Sequence, residues 1–202
     1  MRSFVVVVDA QRDFMQPDGA LPVAGAAALV APLRAWLAGL RAADTAGVLF
    51  TFDTHDARSY ALSPEAEAFP VHCVKGTPGW QLVVDLGEID HAVPLYRMEK
   101  PGLDMWGECC GAVEALGDFG CNFSRFGQTH PRDRFFAELH DGGVREVTVV
   151  GVAADYCVRL AVAGLVARGF RVTVVGELTR GVTRQIDAVF RDEWAEAEVA
   201  LV

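Results

Sequence analysis

The chain has 202 residues, and 51% of them are hydrophobic, which is enough apolar material for one large α/β domain. Eighteen basic and 27 acidic residues give a net charge of −9, and no stretch is rich in lysine and arginine. This balance argues against nucleic acid and anionic membrane surfaces as partners. We therefore expect a small-molecule ligand.

Cysteine usage and apolar run lengths indicate a cellular location. The five cysteines form an odd set without a CxxC pair, which favours reduced thiols over a disulfide framework or a thiolate zinc cage. Residues 4–8 are too few for the apolar core of a secretory leader, and no run approaches the length of a membrane span. We expect a cytoplasmic protein with no membrane attachment.

Strand and helix patterns alternate along the chain. Runs of β-branched and other apolar residues predict strands at residues 4–8, 47–52, 92–98, 144–150, 170–175 and 198–202. Helices are predicted at residues 24–46, 156–168 and 184–194. The alternation predicts a single α/β domain over residues 1–202, doubly wound and Rossmann-like, with a six-stranded, mostly parallel sheet and helices on both faces.

Two long segments interrupt this alternation. Residues 55–86 and 101–131 follow the carboxyl ends of strands, where open α/β sheets bind their ligands. Segments of this length inside a compact domain are usually functional.

Cys157 lies where the strand at residues 144–150 passes through a small-residue turn into a helix. A helix N-terminus favours thiolate over thiol, and its N–H groups can hold a developing oxyanion. The turn therefore predicts a nucleophile. The alternative is that Cys157 is a small buried apolar residue.

Asp9 and Lys100 also stand at predicted strand ends, so the fold would bring them to the same sheet edge as Cys157. A lysine there favours the thiolate, and an aspartate can carry the thiol proton to a leaving amine. Individually, Asp9 is equally well explained as a helix cap and Lys100 as a surface residue.

Asp53 and His55 end the second predicted strand and share a face of an extended segment. A later carboxylate and a second imidazole would complete a mixed nitrogen and oxygen site suited to Zn²⁺, Fe²⁺ or Mn²⁺. The alternative is an Asp–His hydrogen bond that closes a loop.

Several motifs together resemble the nicotinamidase/pyrazinamidase branch of the isochorismatase-like cysteine hydrolases. The matching stretches occur in consistent order from the first strand to the last helix, and they are residues 7–14, 53–55, 69–79, 100 and 151–158. The resemblance implies a catalytic triad and a metal site. The implied triad is Asp9, Lys100 and Cys157, and the implied ligands are Asp53, His55, Glu65 and His72.

The resemblance also implies finer features of the site. Backbone N–H groups of Ala153 and Cys157 would form an oxyanion hole, next to a cis peptide bond between Val152 and Ala153. The metal would be one divalent ion, zinc in the first place, with iron or manganese as alternatives. It would bind a ring nitrogen or a water molecule. Phe14, Phe69 and Tyr156 are the candidate walls for a flat ring.

This chain also departs from the family pattern. Thr54 and Phe69 stand where the family often has tryptophan, which predicts a different pocket shape. Residues 101–131 form a longer segment than expected and match no family motif, so they indicate either a substrate lid or a contact in a homo-oligomer. Three of the five cysteines lie there, namely Cys109, Cys110 and Cys121.

The implied activity is that of an amidohydrolase. It would convert nicotinamide to nicotinate and ammonia through a thioester on Cys157. The alternatives are an amidase for a carbamoyl or ureido compound, which the metal motif disfavours, and a catalytically silent binding module.

Overall fold

A central β-sheet organises the protein. In the computed structural model, residues 2–108, 110–117, 126–195 and 197–202 are described. Within these ranges the sheet has eight strands. They are β1 (Ser3–Val8), β2 (Thr45–Asp53), β3 (Leu95–Lys100), β4 (Ala112–Ala115), β5 (Thr129–Pro131), β6 (Glu146–Val152), β7 (Arg171–Arg180) and β8 (Val199–Leu201).

The strand order across the sheet is β5-β4-β3-β2-β1-β6-β7-β8. Six neighbouring strands run parallel, namely β3, β2, β1, β6, β7 and β8. At one edge, β4 pairs antiparallel with β3, and β5 pairs antiparallel with β4. The predicted α/β class and mostly parallel sheet are confirmed, with eight strands instead of six. The two extra strands come from the segment at residues 101–131, where four and three residues are too few to show a period.

Helices cover both faces of the sheet. The α-helices are α1 (Arg12–Met15), α2 (Val30–Ala38), α3 (Ala57–Tyr60), α4 (Arg132–Asp141), α5 (Arg159–Ala167) and α6 (Ile186–Val189). Short 3₁₀ turns occupy Ala26–Leu29, Pro64–Glu67, Pro78–Trp80 and Leu86–Glu88, and π-helical turns occupy Ala154–Val158 and Phe190–Trp194. None of the helices in the described residues has the length and apolar character needed to cross a bilayer.

The core is split into two layers by the sheet. In β1, Phe4, Val6 and Val8 join one apolar cluster, while Val5 and Val7 join the other. All five side chains are buried, because the parallel sheet is covered on both faces. The continuous apolar run at residues 4–8 therefore has the structural meaning that the sequence predicts.

Helix boundaries differ from the prediction in two places. The predicted helix at residues 24–46 is shorter: a 3₁₀ turn leads into α2, which ends at Ala38, and β2 already begins at Thr45. Gly39 follows α2, and a turn at residues 41–45 leads into the strand. The sequence also predicts no element between residues 131 and 144, where the structure has α4.

The segment at residues 101–131 combines packed and exposed parts. The Trp106 ring lies 3.8 Å from the Arg168 guanidinium carbon, and its Nε1 donates to the Ala161 carbonyl at 3.3 Å. Phe126, in contrast, is 76% exposed. Cys109 and Cys121, singled out in the sequence, lie outside the described residues. The segment is therefore anchored to α5 through Trp106.

Candidate active site

Asp9, Lys100 and Cys157 meet at the carboxyl edge of the parallel strands. Asp9 directly follows β1, Lys100 ends β3, and Cys157 lies in the π-helical turn after β6. The Lys100 Nζ is 2.8 Å from Asp9 Oδ2 and 3.5 Å from the Cys157 sulfur. The structure thus brings together three residues that are separated by up to 148 positions in sequence, as the topology predicts.

Thr51 holds the Asp9 carboxylate in place, although the sequence analysis does not single it out. Its hydroxyl donates to Asp9 Oδ1 at 2.6 Å and accepts from the Asp9 backbone N–H at 3.1 Å. Asp9 has a positive φ of 47°, so these bonds fix a residue in left-handed backbone. A hydroxyl among the apolar residues 48–52 of β2 is a usable signal, because a buried polar group requires a partner.

Charge balance in this cluster sets its protonation. Burial lowers the pKa of Lys100, but the carboxylates of Asp53 and Asp9 outweigh burial and raise it well above its usual value. Lys100 is therefore a cation.

The pKa of the Cys157 thiol shifts in the direction opposite to the one predicted from sequence. Burial raises its pKa well above the ordinary value and outweighs the lowering by Lys100, while the Asp9 and Asp53 carboxylates add to the rise. The resting group is consequently a thiol, and its attack on a substrate requires a base that removes the proton. Asp9 offers a carboxylate for this purpose, because it contacts the same Lys100 Nζ as the sulfur.

The turn that carries Cys157 has an unusual backbone. Gly151 has a φ of 114°, and a Cβ there would lie 2.1 Å from the Val8 carbonyl oxygen, so the close approach of β6 to β1 requires glycine. The expected cis peptide bond between Val152 and Ala153 is present. The Ala153 carbonyl then accepts from the N–H groups of Tyr156 and Val158, which closes the turn around the sulfur.

Four side chains form a compact set beside this cluster. Asp53, His55, Glu65 and His72 each offer one ligand atom, and these atoms lie within 4.8 Å of one another. Asp53 Oδ2 is 3.1 Å from His55 Nε2 and 2.9 Å from His72 Nε2, and the Glu65 oxygens are 3.6–3.7 Å from the same two nitrogens. The set adjoins the first cluster, because Asp53 Oδ1 is 3.5 Å from the Lys100 Nζ.

These residues fit a divalent cation. Neither Asp53 Oδ1 nor Glu65 Oε1 has a hydrogen-bond partner among the residues that the structure describes, although both atoms are buried. Burial and the Asp53 charge raise the pKa of Glu65. The His72 Nδ1 bonds to the Pro70 carbonyl at 2.8 Å, which leaves Nε2 with its lone pair toward the carboxylates. Two imidazoles and two carboxylates suit a divalent metal ion.

Local structure separates Glu65 from Glu67, the other carboxylate of the same segment. They would share a face in an extended segment, but Pro64–Glu67 is a 3₁₀ turn capped by the Ser63 hydroxyl, which accepts from Ala66 N–H at 3.3 Å. Glu65 consequently faces the histidines, while Glu67 is exposed.

An apolar cavity opens above Cys157. Its lining comprises Phe14, Leu21, Val23, Glu65, Phe69, His72, Leu103, Val152, Ala153, Tyr156, Cys157 and Val182. The three predicted ring walls are all present, and the Phe69 and Tyr156 rings meet edge to face at 5.5 Å. The apolar side chains of Leu21, Val23, Leu103 and Val182 carry no sequence signal, because they come from connecting segments without a period.

Thr54 affects this cavity less than the sequence predicts. Its hydroxyl accepts from Trp80 Nε1 at 2.9 Å, and it borders a separate depression together with Ser59 and Lys75. The Trp80 ring packs on Phe52 at 5.0 Å. Of the two departures from the family pattern, only Phe69 lines the cavity above Cys157.

Known proteins are similar to this chain in sequence and in fold. The nicotinamidase/pyrazinamidase of Mycobacterium tuberculosis is 32% identical over 205 residues, covering 98% of this chain and 97% of that protein. The structure of the pyrazinamidase of Pyrococcus horikoshii in complex with zinc matches with a TM-score of 0.73 and 22% identity, over 100% of this chain and 99% of that one. N-carbamoylsarcosine amidase from Thermoplasma acidophilum matches with a TM-score of 0.68 and 21% identity, over 100% and 95%.

The two structural matches establish the fold, and the full-length sequence match establishes the family. A scan against protein-family profiles finds no match. With an identity of 32% across nearly its whole length, the chain belongs to the nicotinamidase/pyrazinamidase family.

Proposed function

We propose that this protein is a metal-containing cysteine amidohydrolase that converts nicotinamide to nicotinate and ammonia. The observation that carries the proposal is the contact of Lys100 Nζ with both Asp9 and Cys157, where Cys157 lines an apolar cavity. Family membership supports the same activity, since the Mycobacterium tuberculosis relative is a nicotinamidase/pyrazinamidase.

In the first half of the reaction, Asp9 takes the proton of the Cys157 thiol while the sulfur attacks the amide carbonyl carbon. The carbonyl π electrons move to oxygen, and the backbone N–H groups of Ala153 and Cys157 donate to that oxyanion. The C–N bond then breaks as Asp9 returns the proton to nitrogen. Ammonia leaves, and the acyl group remains on the sulfur as a thioester.

In the second half, a water molecule attacks the thioester carbon and gives a proton to Asp9. The C–S bond breaks, the sulfur recovers that proton from Asp9, and the carboxylic acid leaves and gives its own proton to solvent. Lys100 remains charged throughout and balances the negative charge that appears on Asp9 or sulfur, as its raised pKa supports. Its position 3.5 Å from the sulfur suits this role.

The cavity walls suit a flat aromatic amide. Phe14, Phe69 and Tyr156 offer apolar contact to a ring whose carboxamide points to Cys157. We propose zinc as the ion at Asp53, His55, Glu65 and His72, supported by the mixed donor set and by the zinc complex of the Pyrococcus horikoshii relative. Bound there, zinc would supply a Lewis-acid position for the ring nitrogen or a water molecule.

Ammonia release from a panel of amides tests the substrate. Nicotinamide and pyrazinamide carry a ring nitrogen meta to the carbon that bears the carboxamide, and benzamide has none. Because misplacement of reacting atoms by about 1 Å costs roughly a hundredfold in rate, we expect kcat/KM to be about 100-fold lower for benzamide. Inactivity on all three amides, with turnover of an N-carbamoyl compound, would instead assign the activity of the Thermoplasma acidophilum relative.

Metal content tests the ligand set. We expect His72→Ala to lose stoichiometric metal, and Glu65→Ala to weaken metal retention more than the matched variant Glu67→Ala, because only Glu65 faces the histidines. Metal analysis after dialysis against a chelator measures both. Equal retention in the two glutamate variants would remove Glu65 from the ligand set, and a fully active metal-free wild type would end the metal proposal.

Three further parts of the proposal concern the whole protein. We propose a single domain over residues 1–202, because strands from both ends of the chain join one sheet. The free thiols of Cys73, Cys110 and Cys157 support a cytoplasmic location. Exposed Phe126 supports a contact between copies in a homo-oligomer, which light scattering at several protein concentrations checks.

A further inference from the structure

Asp13 and Gly79 lie in the motif stretches of the sequence but take no part in the reaction described above. Asp13 is half-buried in α1, and its carboxylate accepts two backbone N–H groups from distant segments. Oδ2 accepts from Cys73 at 2.7 Å, and Oδ1 accepts from Ala20 at 3.0 Å. One side chain thus joins α1, the segment of the cavity wall near Leu21, and the segment that carries His72.

The bond to Cys73 acts directly on the candidate metal site. Cys73 follows His72 and has a positive φ of 45°, a conformation that a non-glycine residue adopts only when its surroundings hold it. The Cys73 carbonyl in turn accepts from the His55 N–H at 3.1 Å. The Asp13 carboxylate therefore fixes the backbone of the residue that connects the two histidines.

Gly79 provides the space for that carboxylate. A Cβ added at Gly79 would lie 2.3 Å from both Asp13 oxygens and 2.4 Å from its Cγ, and these are its three nearest atoms. The backbone of Gly79 is not in the left-handed region, so conformation alone does not require glycine there. Gly19 offers a contrast, because its added Cβ would lie 2.3 Å from the Asp13 backbone oxygen instead.

We infer that Asp13 is a positioning residue for the metal site, acting through Cys73 on His72, and that Gly79 is glycine to make room for its carboxylate. The inference rests on the metal site proposed above. Partners that orient metal ligands typically contribute 10–100-fold to metal affinity.

Zinc affinity of the purified protein, measured by competition with a chromogenic chelator, tests the first part. Asp13→Ala should weaken Zn²⁺ binding by about 10–100-fold. Asp13→Asn keeps the shape of the side chain but replaces one of two acceptors by a donor, so it should weaken binding in the same direction. Asp18→Asn, at a side chain that is 76% exposed and paired with Arg12, is the matched control and should bind zinc like the wild type.

The outcomes separate this inference from the proposed function. A wild type that binds no zinc would overturn the metal site itself, and this inference with it. Tight zinc binding by the wild type and equally tight binding by both Asp13 variants would overturn the role of Asp13 alone.

A double-mutant cycle tests the pairing with Gly79 without any metal. Gly79→Ala should lower the apparent Tm of the metal-free protein, and most of that loss should disappear in the Asp13→Ala background, because the clashing atoms are gone. Gly19→Ala should lower the Tm equally in both backgrounds, since its clash is with the backbone. Asp13→Ser serves as a second background should Asp13→Ala not fold. Equal losses for Gly79→Ala in both backgrounds would overturn the pairing.

Discussion

The floor and the wall of the cavity are built by different means. The floor is Cys157, which lines the cavity, together with the charged groups behind it at strand ends, namely Asp9, Asp53 and Lys100. The spacing of these charged groups follows from sheet register. Asp53 and Lys100 are direct partners in the pairing of β2 with β3. β2 is buried along most of its length and β3 buries alternate side chains, so a one-residue slip of β3 would turn Arg97 and Glu99 toward the core.

The wall, in contrast, consists of apolar side chains that come mostly from segments outside the sheet. Leu21, Leu103 and Val182 lie between elements, and side chain to backbone hydrogen bonds hold these segments. Asp155 accepts from the N–H of Val182 at 2.9 Å and from the N–H of Thr183 at 2.8 Å. The chemistry is therefore attached to the most rigid part of the fold, and substrate choice to the part that tolerates sequence change.

The largest expected effect removes the nucleophile from the floor. Cys157→Ala should lower kcat by roughly 10⁴–10⁶-fold, as loss of a catalytic nucleophile does, while the fold and metal content persist. Ammonia release measures the rate, and circular dichroism checks the fold. The matched variant Cys110→Ala, at a half-buried thiol near Asp104, should keep wild-type activity. Detection of the acyl adduct on Cys110 by mass spectrometry would contradict the assignment.

The second effect concerns the stability of the floor. Lys100→Ala leaves the buried carboxylates of Asp9 and Asp53 without their cation, so the free energy of unfolding should fall by about 3–5 kcal/mol. Urea unfolding measures the change. Lys75→Ala breaks an exposed ion pair with Glu99 and should cost less than about 1 kcal/mol. Similar losses in the two variants would show that the buried ion pairs of Lys100 contribute no more to stability than the exposed pair of Lys75.

The contrast between floor and wall also determines what the sequence reveals. Continuous apolar runs predict the buried parallel strands, and residues at their ends predict Asp9, Asp53 and Lys100, because topology alone brings such ends together. The choice of Glu65 over Glu67 depends on a 3₁₀ turn, which spacing in an extended segment does not predict. That choice comes from the family resemblance.

The wall residues other than Phe14, Phe69 and Tyr156 escape prediction for physical reasons, as do the short elements. β4 and β5 have four and three residues, so no alternation is visible, and their pairing depends on contacts made after the chain folds. Val182 and Leu103 are apolar residues in irregular segments, where no period marks the buried face. The direction of the Cys157 pKa shift also depends on tertiary burial, which the local turn does not reveal.

The third effect concerns Asp155, whose carboxylate holds the wall segment at residues 182–184 by hydrogen bonds. Burial raises the pKa of Asp155, but hydrogen bonds from Thr183, Arg184 and Val182 outweigh burial and lower it. A lowered pKa in the folded state stabilises the protein above the unfolded value of about 4, and this contribution is lost as pH falls below it.

Asp155→Asn should accordingly reduce the free energy of unfolding at pH 7 by about 1.5–3 kcal/mol, since hydrogen bonds to a charged acceptor are lost. The deficit relative to wild type should shrink as pH falls below about 4, because the wild type then loses the same contribution. Urea unfolding at pH 7 and pH 3 checks both values. Asp141→Asn, at an exposed residue of α4, is the control and should show little change at either pH. A deficit that is constant with pH would assign the effect to packing.

The smallest effect changes one side chain at the rim of the wall. Val182 is 40% exposed and lines the cavity, so Val182→Ala removes only part of a ring contact. Loss of a methylene contact in a fully enclosed apolar pocket weakens substrate binding by at least about tenfold. Because Val182 is partly exposed, we expect KM for nicotinamide to rise by less than about tenfold. Since the wall contacts the ring equally before and during the reaction, kcat should not change. Leu62→Ala, at a side chain that is 88% exposed, should leave both constants unchanged. A fall in kcat at constant KM in Val182→Ala would instead mean that Val182 aligns the carbonyl over Cys157. Val182 would then contribute to the reaction as the floor does, and not only to substrate binding.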